Sequence, residues 1–309
     1  MQFDILTLFP EFFTGIFEHG VIHRAITTGR VQVRFHDLRT FTHDRHRTVD
    51  DRPFGGGEGM VLKPEPLAEG LASLGIQPKS TRPSDSNSCV ILLSAQGRTF
   101  NQSIARELAR TGASPAAATP TAVKQTRAEQ IDAEPAVCKP PLSRQIVFIC
   151  GRYEGVDERI NQLYCDLELS IGDYVLSGGE LAAAVIADAV IRLLPGVLGN
   201  DASSEFESFG RDDSDITLNE QGVPRSQHGA GGLLDYPHYT RPAEFQGLAA
   251  PPVLLNGDHH EIRRWRREQQ LLKTFTNRPD LLERASLNKE DHQILKRIRE
   301  SKAADSAQP

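Results

Sequence analysis

No uninterrupted apolar run in these 309 residues approaches the ~20 needed to cross a bilayer, so no membrane span is expected. The start, Met1-Gln2-Phe3-Asp4-Ile5-Leu6, lacks the basic, apolar and small-residue succession of a secretory leader, and the chain is expected in the cytoplasm. Its four cysteines, Cys89, Cys138, Cys150 and Cys165, include no C-x-x-C pair. Cys89 and Cys150 stand in or at the end of apolar runs, and buried free thiols are the reading. The phosphate-binding signatures are also missing. Arg52-Pro53-Phe54-Gly55-Gly56-Gly57-Glu58-Gly59-Met60 is glycine-rich but lacks the Gly-Lys-Ser/Thr ending of a P-loop, which weakens a nucleotide-hydrolase reading. Phe9-Pro10-Glu11 stands after the first strand where a dinucleotide fold would carry G-x-G-x-x-G, so the ordinary Rossmann cofactor site is unsupported.

An excess of basic charge is absent too. With 35 Lys and Arg against 41 Asp and Glu the net charge is −6, which would disfavour a nucleic-acid partner if it were evenly spread. It is not. Arg30, Arg34, Arg39, Arg45, Arg47 and Arg52 crowd one segment, and Arg263, Arg264, Arg266, Arg267 and Lys273 another. Two basic segments therefore sit in an acidic chain.

Short β-branched runs bounded by turn residues predict strands over Phe3 to Phe9, Val31 to Phe35, Cys89 to Ser94, Ile146 to Cys150 and Leu167 to Ile171. Helical periodicity lies between them at Phe12 to Thr28, Pro66 to Ser73, Asn101 to Arg110 and Val156 to Leu163. Such alternation predicts an α/β domain whose mainly parallel sheet is covered on both faces, here residues 1–199. Within it, 111–141 is rich in Ala, Thr and Pro and reads as a disordered insertion. Residues 200–232 read as a flexible interdomain linker. Helices at His259 to Thr276, Pro279 to Arg284 and Lys289 to Arg299 then predict a small helical domain over 233–302, with a disordered tail at 303–309.

The sharpest local signal is Ile171-Gly172-Asp173-Tyr174-Val175-Leu176-Ser177-Gly178-Gly179-Glu180, which follows a strand and opens a helix. Ser177 and Glu180 are spaced for a capping box. The glycine pair serves either a ligand approaching the backbone closely or a tight turn for helix packing alone. From Leu181 to Leu194 the helix is apolar on nearly every side, which predicts deep burial. Arg192 lies near its end, four residues after Asp188. It forms either an ordinary helix ion pair or, if its end reaches a cleft, a donor to a substrate oxygen that gains negative charge. His43, His46 and Asp50, like His259-His260, sit among charges and read as surface residues rather than metal ligands.

Several stretches in order resemble the bacterial tRNA (guanine-N1)-methyltransferases, the TrmD family of the SPOUT superfamily. They are Leu6 to Phe13, Asp51 to Gly57, Leu93-Ser94-Ala95-Gln96-Gly97, Gly151 to Arg159, Ile171 to Glu180, Pro195-Gly196-Val197-Leu198-Gly199 and Pro237-His238-Tyr239-Thr240-Arg241-Pro242. The resemblance implies a parallel-sheet SPOUT fold with a deep trefoil knot, a topology no composition reveals. It also implies a homodimer whose active site lies at the subunit interface, S-adenosyl-L-methionine as cofactor, and the tRNA anticodon arm as partner. The cofactor is expected at Ser94, Gly97, Gly151, Tyr153, Glu154, Ile171, Gly172, Asp173, Tyr174, Val175, Leu176, Gly178 and Gly179. A magnesium requirement is suggested, without a ligand set that places the ion.

The implied reaction methylates N1 of the guanine at nucleotide 37, beside the anticodon. That nitrogen loses a proton as it attacks, and charge develops on O6, so a base and a cation are needed. By resemblance Arg192 faces O6 and the carboxylate before Ser208-Phe209 takes the proton. Here that carboxylate is Glu207, where the family pattern has aspartate, and its oxygen is displaced by about one methylene. Asp235 is a further linker carboxylate expected at the guanine. Arg52, Gly55, Gly56, Gly57, Ser208, Arg263 and Arg266 complete the expected substrate contacts, the basic helix from Arg263 to Lys273 meeting phosphate. Glu58 and Ala182 depart from the family pattern, the former weakening a phosphate contact by its loop. Two alternatives stand beside this reading: a knotted methyltransferase acting on another RNA atom, and an inactive tRNA-binding homologue.

Overall fold

The computed structural model describes residues 1–110, 145–199, 204, 207–210 and 230–305. The chain divides into two compact units, Met1–Gly199 and Asn200–Pro309. The insertion 111–141, most of the segment 200–232 and residues 306–309 lie outside the described residues.

In the first unit β1 (Gln2–Thr7), β2 (Gln32–Asp37), β5 (Ser88–Thr99), β6 (Gln145–Cys150) and β7 (Leu167–Ser170) form an all-parallel sheet in the order β2-β1-β6-β5-β7. A two-residue pair, β3 (Asp50–Asp51) and β4 (Val61–Leu62), stands apart. Alternation along each strand divides the core in two, because successive side chains point to opposite faces. Phe3, Ile5, Ile91, Leu93, Ile146 and Phe148 pack on one side with α1 (Gly20–Thr27), α3 (Gln102–Ala109) and α5 (Glu180–Ile191). Leu6, Val90, Leu92, Val147 and Ile149 pack on the other with α2 (Pro64–Ser73) and Ile160 of α4 (Glu158–Tyr164). Among the described residues no helix is long and apolar enough to cross a membrane.

The helix predicted over Phe12 to Thr28 is broken. A 3-10 turn at Pro10–Phe13 and α1 are separated at Gly15 and Gly20, which take φ of 84° and 65°. Left-handed backbone is open to glycine at no steric cost and ends a regular helix. Downstream, Arg30 Nη1 donates to Pro195 O at 2.9 Å and Arg24 to Val197 O. These bonds fix the turn that follows α5.

The second unit contains a small hairpin, β8 (Glu244–Phe245) and β9 (Leu248–Ala249), which the sequence pattern did not reveal. Then come α6 (His259–Asn277), α7 (Asp280–Arg284) and α8 (Lys289–Asp305). Its core is Leu233, Leu271, Ile294, Leu295 and Ile298. Helix α8 runs past Arg299 to Asp305 because Glu300 to Ala304 contain no glycine or proline to stop it.

Candidate functional site

A cleft opens at the carboxyl ends of β5, β6 and β7, the usual ligand position in an open parallel sheet. Strand β5 pairs with β7 through Leu93 and rejoins it at Arg98, so Ser94 to Gly97 stand out of the ladder and form one wall. The loop after β6 and the loop after β7 form the others, stitched together where Gly179 N donates to Gly151 O at 2.9 Å. Arg152 and Gly178 continue that stitch as an antiparallel bridge.

The expected cofactor residues line this cleft except Gly97, Gly172 and Asp173. Gly97 is displaced for a packing reason: a Cβ there would come 2.5 Å from Leu169 N, so it allows β5 to close on β7. Gly172 lies beneath the Tyr174 ring, and Asp173 points to solvent. At Gly179 a Cβ would lie 2.8 Å from Cys150 Cα, so close approach of two backbones requires the second glycine of the pair. Tyr153 holds φ at 58°, a strained conformation of the kind that clusters at ligand sites.

The capping box does not form. Helix α5 begins at Glu180 with Gly179 as its cap and no side-chain cap bond. The Glu180 carboxylate, 1% exposed, instead accepts from the Thr7 hydroxyl at 2.7 Å and from Arg152 Nε at 3.2 Å. The Arg152 guanidinium also donates to Ser177 O at 3.1 Å and stacks 4.6 Å from the centre of the Phe9 ring. Arg152 and Ser177 both line the cleft, so a buried ion pair holds two of its walls. Both residues lie inside the sequence motifs, but nothing in those motifs marks this pairing. An arginine beside a fully apolar strand end was the available signal. Burial, with Glu180 nearby, pushes the Cys150 thiol well above its ordinary pKa.

The glycine loop joins the same region at one end. Glu154 N donates to Met60 O at 3.0 Å, and a Cβ on Gly59 would meet Glu154 Oε1 at 2.5 Å. Arg52, Gly55, Gly56 and Gly57 are exposed, and Phe54 at the tip is 98% exposed. None of them lines the cleft.

Arg192 is the C-terminal cap of α5 and is half-buried. Deep burial of the whole helix is corrected: Leu181 and Val185 are 46% and 48% exposed. Phe12 and Ile16, in the segment around the first 3-10 turn, are exposed too. An amphipathic pattern was invisible because the solvent-facing side is itself apolar.

In the second unit Glu207 to Gly210 form a turn, Gly210 N donating to Glu207 O at 2.8 Å and Phe209 N to Leu233 O at 2.8 Å. Ser208 Oγ accepts from Asp235 N at 2.9 Å, which brings these two expected substrate residues together. Arg263 and Arg266 lie on α6, both half-buried. Arg267, by contrast, turns inward to Asp291 at 2.8 Å, so the basic face expected from Arg263 to Lys273 is narrower than the sequence implied. His43 meets Glu69 at 2.8 Å. Among the described residues no three His, Cys, Asp or Glu side chains converge as a metal site.

A family model described as tRNA (Guanine-1)-methyltransferase TrmD matches residues 1–113 and 123–284. A tRNA (guanine-N(1)-)-methyltransferase of Koribacter versatilis is 50% identical over 302 residues, covering 98% of this chain and all of the relative. Those of Geobacter metallireducens and Dehalococcoides mccartyi are 42% and 43% identical over 97% and 96% of this chain and 98% and 97% of their own lengths.

Proposed function

Because this chain belongs to the tRNA (guanine-1)-methyltransferase TrmD family, its reaction is methyl transfer to N1 of a guanine in tRNA, and we propose that the guanine is nucleotide 37 and the donor S-adenosyl-L-methionine. The observation that carries the donor assignment is the cleft at the ends of β5, β6 and β7. Its bare backbone at Gly151, Gly178 and Gly179 lets an adenosyl group reach main-chain donors and acceptors, and Leu93, Leu169 and Leu176 offer an apolar wall. The donor supplies a methyl carbon activated by an adjacent sulfonium. The chain's residues do the rest. Arg192 stabilises the charge that develops on O6, and Glu207 takes the proton from N1. Asp235, with Ser208 bonded to its backbone, orients the guanine edge. Arg52 and the backbone of Gly55, Gly56 and Gly57 meet the anticodon loop, and Arg263 and Arg266 meet phosphate or base. No step is assigned to Mg²⁺.

The exposed apolar face of Leu181 and Val185 favours a second copy of the chain as its cover, which makes the enzyme a homodimer with the active site at the subunit interface. The trefoil knot belongs to the same reading, with the loops 151–155 and 171–179 as knot loops. The cytoplasm, where tRNA is modified, is the proposed location.

Transfer of labelled methyl to tRNA transcripts with guanine or adenine at nucleotide 37 tests the assignment. Label is expected on the guanine transcript alone, falling by about a hundredfold or more in Arg192→Ala and Glu207→Gln. Equal labelling of both transcripts would contradict it, and tRNA binding without any label would favour the inactive homologue.

A further inference from the structure

Within the second unit a hollow lies between the segment Tyr236 to Tyr239 and one face of α6. Ile262, Trp265 and Arg266 share that face, being three and four residues apart. The opposite wall is set by Asp235. Tyr236 N donates to its Oδ1 at 2.8 Å and His238 Nε2 lies 3.0 Å from its Oδ2, which fixes the local turn of the strap. Tyr236 is buried, and the Arg266 guanidinium carbon lies over its ring, 4.8 Å from the centre. Burial pushes the Tyr236 hydroxyl pKa up, Asp235 adding to it and Arg266 opposing. Tyr239 is half exposed and its ring centre is 6.2 Å from that of Trp265 at a tilt of 59°.

Two features identify the occupant. The rings and the guanidinium present planes and edges on which a planar heteroaromatic ring packs. Arg266 Nε is shielded from solvent yet, among the described residues, meets no hydrogen-bond acceptor. A shielded donor without a partner is costly, and an occupant bearing an acceptor oxygen or ring nitrogen relieves it. An aliphatic side chain would fill the space and leave the donor unmatched. Arg263, three residues before Arg266 on the helix, adds positive charge suited to a phosphate-bearing chain.

We propose that this hollow takes one unstacked base of the RNA substrate, stacked on Trp265 with the tilted Tyr239 ring against its edge and accepting a hydrogen bond from Arg266, as a subsite separate from the reacting guanine. The proposal rests on the reading that tRNA is the substrate. It gives the second unit a role in holding single-stranded loop nucleotides as well as phosphate.

Trp265 is the only tryptophan of the chain, so its emission reports occupancy of the hollow directly. The full-length protein is titrated with an anticodon stem-loop, then with a set of stem-loops each abasic at one loop position other than nucleotide 37. Binding is followed independently by anisotropy of end-labelled RNA, and methyl transfer is measured on the same RNAs. The intact stem-loop is expected to quench Trp265, one abasic position alone is expected to abolish the quenching, and binding of that RNA is expected to weaken by about ten- to a hundredfold. Tyr239→Ala, a substitution at a half-exposed position, is expected to weaken the intact RNA to a similar degree and to bring no further loss with that abasic RNA. RNA that binds and is methylated while Trp265 emission stays unchanged would overturn the subsite and leave the enzyme reading intact, as would quenching retained by every abasic RNA. RNA that neither binds nor is methylated would overturn both.

Discussion

Arg152 Nη2 lies 2.9 Å from Glu180 Oε2, a pairing across 28 residues of sequence that ties the loop after β6 to the start of α5. Glu180 is 1% exposed and Arg152 18%, so the pair is largely shielded from water. Removing one partner of such a pair costs about 3 kcal/mol, because a buried charge is left behind. Arg152→Met is expected to lose that much stability in urea unfolding. Since Ser177 O also loses its donor, affinity for S-adenosyl-L-methionine should fall with it.

Gly97 acts by packing rather than by lining the cleft. Gly97→Ala forces a Cβ against the backbone of Glu168 and Leu169, and should destabilise the first unit by about 1–3 kcal/mol. An unchanged unfolding midpoint would show that β5 and β7 are less closely packed there.

Asp4 is fully buried under an array of donors, His36 at 2.9 Å, Arg34 at 2.9 Å and Gln145 at 2.9 Å. Burial alone raises its pKa, but hydrogen bonds from His36, Gln145 and Arg34 outweigh it and hold the carboxyl below its usual range. A depressed folded-state pKa contributes stability that is present above the unfolded value, about 3.9, and is lost as pH falls through the folded value. Wild-type stability should therefore drop below about pH 4 more steeply than that of Asp4→Asn, as read from urea midpoints across the acid range.

Burial pushes the Cys165 thiol up to about 12, and Cys150 is raised well above its ordinary value. The thiolate is the reactive form, so both, together with buried Cys89, should resist iodoacetamide at neutral pH until the protein is unfolded. Peptide mapping of the alkylated native protein checks this.

Much of the first unit was legible because strand residues such as Cys89 to Leu93 and Ile146 to Cys150 are apolar on both faces, as a covered parallel sheet requires. The motif segments that line the cleft were legible as stretches of sequence. Their convergence was not, since it depends on β5 and β7 becoming neighbours after a long chain excursion. Ser177 and Glu180 fit a cap by spacing, yet Glu180 turns to Arg152 and Thr7 because tertiary partners outcompete a local bond. The exposed Leu181 and Val185 escaped notice for a different reason: an apolar surface looks like core to any periodicity argument. Trp265 and Tyr239 were present in the sequence as parts of a basic helix and a motif, and only the fold brings their rings within 6.2 Å of each other.

The product expected of this enzyme is N1-methylguanosine at nucleotide 37 of the tRNA. The most direct test is nuclease digestion of tRNA methylated by the full-length protein, followed by mass-spectrometric identification of the modified nucleoside and its position. N1-methylguanosine is expected at nucleotide 37 and nowhere else. A methyl group on a ribose 2′-oxygen, or on another base atom, would contradict it.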